Sequence, residues 1–223
     1  MDTARVGFTP FTDSKIVLRS LQPVLDQLQL FFRDASQRAQ KHFTDRGWSM
    51  DANLFAYEVR KDVFERLRML GAEVVEEKHF FEVAKMPLSG LLLDLPGIRL
   101  RIRKSKDNEI PHSGSDQLRD FYNWNLFAFS AAPEDGPLHL MLLWNVDVNF
   151  DVCGFCLVCP DGENEEEVKW KWREGVPLAA AKLIMNGEEF RTAFEEANSD
   201  VPLTPKVKAE VKPRQDGTQK SKK

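Results

Sequence analysis

Leu21, Val24, Leu25, Leu28, Phe31, Phe32 and Ala35 recur every three or four residues, and Phe43 extends the same stripe. That spacing predicts an amphipathic helix with one buried face. Pro23 suits its start or a kink, because proline lacks the N–H that an interior position donates, and Gly47 ends the run. Asp51 is placed to cap a second helix, whose buried face carries Phe55, Val59, Val63, Leu67 and Leu70 before Gly71 closes it. Both stripes are core-forming and neither suggests a cofactor box.

From Ala72 the period changes to two. Val74-Val75 and residues 80–83 read as short strands. Leu91–Leu95 and Ile98–Lys104 flank Pro96-Gly97, a pair that favours a type II turn because glycine tolerates the positive φ its third position needs. Within the second of these strands Arg99, Arg101 and Arg103 alternate with Ile98, Leu100 and Ile102, so the arginines share one face. Residues 138–147 and 152–159 form a second candidate hairpin around Asn149, and residues 168–173 alternate again. Between the hairpins, residues 116–124 predict a short helix burying Leu118, Phe121 and Tyr122, and a last helix covers about 188–197. Helices followed by hairpin strands predict an α+β fold, with two N-terminal helices packed on a mainly antiparallel sheet.

Charge divides the chain. Residues 1–200 carry 24 basic and 33 acidic side chains, whereas residues 201–223 carry seven and two, with three prolines and almost no large apolar group. The first segment is expected to be a single domain and the second a disordered basic tail, since it has too little apolar surface to offset its ordering entropy. The formal net charge of −4 argues against a general nucleic-acid binder. No apolar run approaches the roughly 20 residues that cross a bilayer, and residues 1–10 lack the pattern of a secretory signal, so a cytoplasmic protein without a transmembrane segment is expected.

Two constellations bear on chemistry. Cys153, Cys156 and Cys159 have the C-x₂-C-x₂-C spacing of a metal ligand set, but a fourth cysteine is missing and a strand would send Cys156 to the opposite face. Buried thiols are the expectation, with no metal and no cofactor. Asp151, followed by Glu167-x-Lys169, matches the acid and Glu-x-Lys pattern of metal-dependent nucleases of the restriction type, in which the acids hold Mg²⁺ and the lysine stabilises charge. Short motifs of this kind also arise by chance in a chain rich in Glu and Lys, and Asp151 falls where a turn is predicted.

The basic rows are the more specific feature. Arg99, Arg101, Arg103 and Lys104 form one, and Lys169, Lys171 and Arg173, interleaved with Trp170 and Trp172, form another. As neighbours they would make a single basic surface for an acidic protein, with nucleic acid a less favoured ligand.

The order of segments resembles a family of small bacterial proteins encoded beside regulators that combine a helix-turn-helix with an ImmA/IrrE-like metallopeptidase. The resemblance rests on the basic strand at 97–104, the polar linker at 107–115, Asp120-Phe121-Tyr122, Leu143-Trp144-Asn145, Cys159-Pro160-Asp161-Gly162 and the Trp-bearing strand at 169–173. It spans about residues 15–175, with Leu143-Trp144 standing where a Gly-Tyr is expected. It implies a toxin–antitoxin-like module associated with defence against phage, in which this chain is the non-enzymatic, toxin-like effector controlled by its cognate regulator. It supplies no catalytic residues, and the peptidase chemistry belongs to the partner.

Overall fold

The computed structural model describes residues 13–73, 82–83, 90–106, 109–130, 137–164, 167–177, 179 and 185–199. The predicted strand at Val74-Val75 and the basic tail lie outside the described residues. Helix α1 spans Ser14–Asp45 and α2 Ala52–Glu73. Strands β1 (Glu82–Val83), β2 (Leu91–Leu95) and β3 (Ile98–Lys104) lead to helix α3 (Asp116–Ser130). Strands β4 (Leu138–Val146), β5 (Val152–Glu163) and β6 (Val168–Gly175) then precede helix α4 (Gly187–Ala197). The architecture is α+β.

Local chemistry sets most boundaries. The Asp13 side chain accepts from the Lys15 N–H at the start of α1, and Gly47 takes φ +65° just past its end. Proline does not kink this helix out of existence: α1 begins nine residues before Pro23 and runs through it. Asp51 Oδ1 accepts from the N–H groups of Asn53 and Leu54, as its predicted cap role requires. Helix α2 continues past Gly71 to Glu73, because a glycine costs a helix only about 1 kcal/mol. Asn186 and Glu189 close a reciprocal capping box at α4.

All six strands join one sheet in chain order, β1-β2-β3-β4-β5-β6. Every neighbouring pair is antiparallel except β3 and β4, which run parallel through the α3 crossover, with Ile98 opposite Leu138 and Lys104 opposite Trp144. Gly97 has φ +73° in the β2–β3 turn. At Gly90 a Cβ would stand 2.4 Å from the Ile102 carbonyl oxygen, so only glycine lets the chain enter β2 there.

The sheet has two covered faces. On one, α1 packs with α2 and α4, and Leu21, Leu28, Phe32, Val59 and Phe190 meet Leu100, Leu142, Trp144 and Leu157 in the main core. On the other, Leu118, Phe121 and Tyr122 of α3 meet Met141, Leu143, Cys156 and Val158 in a smaller one. No helix among the described residues is long and apolar enough to cross a membrane.

Candidate functional site

The arginine row of β3 is not the wet side of a sheet. Arg99 is only half-exposed, and its Nε donates to Asp94 Oδ1 at 2.6 Å across the β2–β3 hairpin. Arg101 is 9% exposed beneath α3, with its guanidinium 5.8 Å from the Phe121 ring centroid. Burial, then the neighbouring Arg103, lowers the Arg101 pKa from its ordinary value. Arg103 donates to the Tyr122 hydroxyl, which itself donates to the Pro111 carbonyl at 2.7 Å. Burial pushes the Tyr122 pKa up to about 12.

The second row lies elsewhere. Lys169, Lys171 and Arg173 are exposed on β6, Trp170 is 46% exposed, and Trp172 packs against the main core. Strands β4 and β5 intervene between β3 and β6, so the two rows are three strand spacings apart, about 14 Å. The expected single patch is therefore two separate features. Strand alternation correctly predicted which residues share a face, but it carries no information on which strands are neighbours.

The nuclease pattern is dispersed as well. Asp151 sits in the β4–β5 turn, where Gln40 of α1 donates to its carboxylate at 3.0 Å. Glu167 sits in the β5–β6 turn, where its N–H binds Asn164 Oδ1, and Lys169 follows in β6. The 12 residues of β5 lie between the two turns, which puts the acids on the order of 30 Å apart. These three residues do not form one site. The cysteines diverge as alternation predicts, Cys156 to the smaller core and Cys159 to the main one, but Cys153, expected to be buried, is exposed at the start of β5. Among the described residues no group of three or more His, Cys, Asp or Glu is placed to hold a metal ion.

What the fold does assemble is a basic groove. A cavity of about 980 Å³ opens at the carboxyl ends of the parallel pair β3 and β4, under the first half of α2. Helix α2 contributes Asn53, Ala56 and Arg60; the end of β3 and its extension contribute Lys104, Ser105 and Lys106. Asn145, Val146, Asp147 and Val148 from the end of β4, with Cys153 from β5, complete the wall. The carboxyl edge of a parallel pair is a recurrent ligand position, because the diverging loops leave a crevice there.

Positive charge is concentrated in this groove. Burial and then Arg103 lower the Arg60 pKa, while burial and then Arg60 lower that of Lys104. These shifts mark cations close enough to repel one another. The Arg60 Nε is buried without a hydrogen-bond partner among the described residues. Lys104 Nζ donates to the Ala52 carbonyl at 3.3 Å. Two acids are near. Asp51 favours the charged form of Lys104, and Asp147 lines the groove, but its Oδ1 already accepts from the N–H groups of Asn149 and Asp151 in the turn. No carboxylate among the described residues forms an ion pair with Arg60, Lys104 or Lys106. Lys104 was legible from the sequence as part of a basic run. Arg60 was not, because it sits among ordinary polar positions of a helix 44 residues earlier.

Two further polar clusters lie on the α3 side. The Glu163 carboxylate accepts from the Ser113 N–H at 2.7 Å and pairs with His112 Nδ1 at 3.2 Å, beside a cavity of about 540 Å³. Burial alone would raise the Glu163 pKa, but the hydrogen bonds from Ser113 and His112 together outweigh it and lower the value. His139 is stacked between Phe121 and Trp124, with ring centroids 4.5 and 5.0 Å away. Its pKa is lowered to about 4 by burial. Asn125, fully buried, clamps the same region by donating to the carbonyls of His139 and Pro160 and accepting from the His139 N–H.

In comparisons with known proteins, no family model, no curated protein and no solved structure matches the chain.

Proposed function

We propose that this protein is a non-enzymatic interaction component that engages an anionic partner through the groove formed by Arg60, Lys104 and Lys106. The carrying observation is the concentration of cations there with no ion-paired carboxylate among the described residues. Such a focus raises the local concentration of an anionic partner and speeds its encounter, even on a chain whose net charge is negative. The setting we propose is a bacterial toxin–antitoxin-like defence pair, in which this chain is the toxin-like effector and a cognate helix-turn-helix or metallopeptidase-like regulator is the partner. The support for that setting is the resemblance in segment order; the groove supports only the anionic character of whatever docks.

The double variant Arg60→Glu, Lys104→Glu tests the reading. Its affinity for the product of the neighbouring gene is expected to fall about tenfold or more, equivalent to ~1.4 kcal/mol. Wild-type binding is expected to weaken from low to high salt as screening shortens the reach of the charges. An unchanged affinity without salt dependence overturns the groove as the docking surface. Expression of the chain with and without that neighbour tests the effector assignment, and growth unaffected in both cases overturns it.

A further inference from the structure

We infer that the same groove binds a phosphate ester of nucleotide size, with the phosphate on Arg60, Lys104 and Lys106 and the organic part against Ala56, Val146 and Val148. This inference rests on the anionic reading of the groove and narrows its ligand. Volume is the first reason. At about 980 Å³ the cavity sits at the upper end of the ~300–1,000 Å³ typical of small-molecule sites, far more than a lone inorganic anion fills.

The second reason is how the wall divides. The cations come from α2 and the end of β3, whereas Val146 and Val148 come from the end of β4 and the turn after it, with Ala56 of α2 adding apolar surface and Asp147, whose Oδ1 the turn's own N–H groups occupy, standing between the valines. Val148 is 92% exposed at the mouth, where a ligand in the groove would cover it. Asn53 and Ser105 also line the groove, the Ser105 hydroxyl donating to the Glu109 carbonyl at 2.6 Å. A ligand that is anionic at one end and flat and apolar at the other satisfies both walls, and a nucleoside phosphate is the probe with that chemistry. Arginine and lysine there offer charge-assisted hydrogen bonds to phosphate oxygens.

Cys153 supplies a reporter. It lines the groove and is exposed, whereas Cys156 and Cys159 are buried, so a thiol reagent labels one position in the folded chain. Labelling by N-ethylmaleimide, a neutral reagent that the groove's cations neither draw in nor repel, is followed by mass and peptide mapping, with the inorganic phosphate arm controlling for any effect of a bound anion on the thiolate. The probes are adenosine diphosphate, adenosine, inorganic phosphate and sodium chloride matched in ionic strength. With adenosine diphosphate at ~4 times its Kd, labelling is expected to slow about fivefold, following 1 + [L]/Kd. Adenosine and phosphate at the same concentration, and sodium chloride at the same ionic strength, are expected to leave the rate nearly unchanged. The protection is expected to disappear in Arg60→Ala, and in Lys106→Ala, whose exposed side chain makes it the variant expected to disturb the fold least. Equal protection by adenosine overturns the phosphate anchor, and equal protection by phosphate or chloride overturns the organic half. No protection by any probe overturns the ligand altogether. None of these three results touches the partner affinity of the Arg60→Glu, Lys104→Glu variant, so failure of the ligand and failure of the docking surface are read separately.

Discussion

The two faces of the sheet use the same strands and reach opposite solutions. On the α1 face, β3 presents Ile98, Leu100 and Ile102, and three helices close over them; the polar side chains buried on that side, among them Gln27, Gln29 and Ser36, come from α1 and bond backbone groups of connecting segments. On the α3 face, the same strand presents Arg99, Arg101 and Arg103, and a single 15-residue helix covers the centre. The first face is held by volume and apolar contact. The second is held by a small apolar cluster laced with directed interactions: Arg101 over Phe121, His139 between two aromatic rings, Asn125 satisfying three backbone groups. A short helix cannot bury enough apolar area to seal a face alone, so polar side chains are retained where they find partners. The lesson is that alternation of apolar and basic residues does not by itself mean core and solvent.

The largest expected effect breaks the first face. Phe32 is fully buried, 4.8 Å by ring centroid from Trp144 and 5.7 Å from Phe155, so Phe32→Ala is expected to cost about 4 kcal/mol in urea unfolding. Leu118→Ala on the opposite face, in the smaller cluster, is expected to cost nearer 2.5 kcal/mol. Equal costs would mean that the two faces are one cooperative core.

Acid is expected to weaken the second face through His139. The pKa of His139 is depressed to about 4 from its ordinary 6.5, so the folded chain prefers the neutral ring and unfolding takes up a proton. The contribution is fully present above pH 6.5 and is lost as pH falls through the range down to about 4. Between pH 7 and pH 5 it amounts to ~2 kcal/mol. Denaturation of the wild type and of His139→Phe at both pH values checks this, because the variant should lack that part of the slope.

The smallest effect sharpens the comparison within one strand. Arg101→Ala removes a packed, buried stem and a cation–π contact and is expected to cost ~1–2 kcal/mol. Arg99→Ala removes only a half-exposed ion pair with Asp94 and is expected to cost under ~1 kcal/mol. Thermal melts that rank the two in the opposite order would place Arg101 at the surface after all.

Local pattern accounted for much of this molecule. The 3.6-residue period located α1 and α2, the short helix expected at 116–124 is the first part of α3, and the two-residue period with Pro96-Gly97 located the β2–β3 hairpin, because these signals depend only on neighbours along the chain. Asp51 was recognisable as a cap for the same reason. Tertiary structure alone decided that α3 would cross over to set β3 parallel to β4, that it would bury Arg101, and that β4 and β5 would stand between the two basic rows. It alone brought Arg60 of α2 to Lys104 and Lys106, across 44 and 46 residues of chain. The physical reason is common to all of these: periodicity encodes which side chains share a face, whereas the element that closes that face is chosen by contacts between segments distant in sequence.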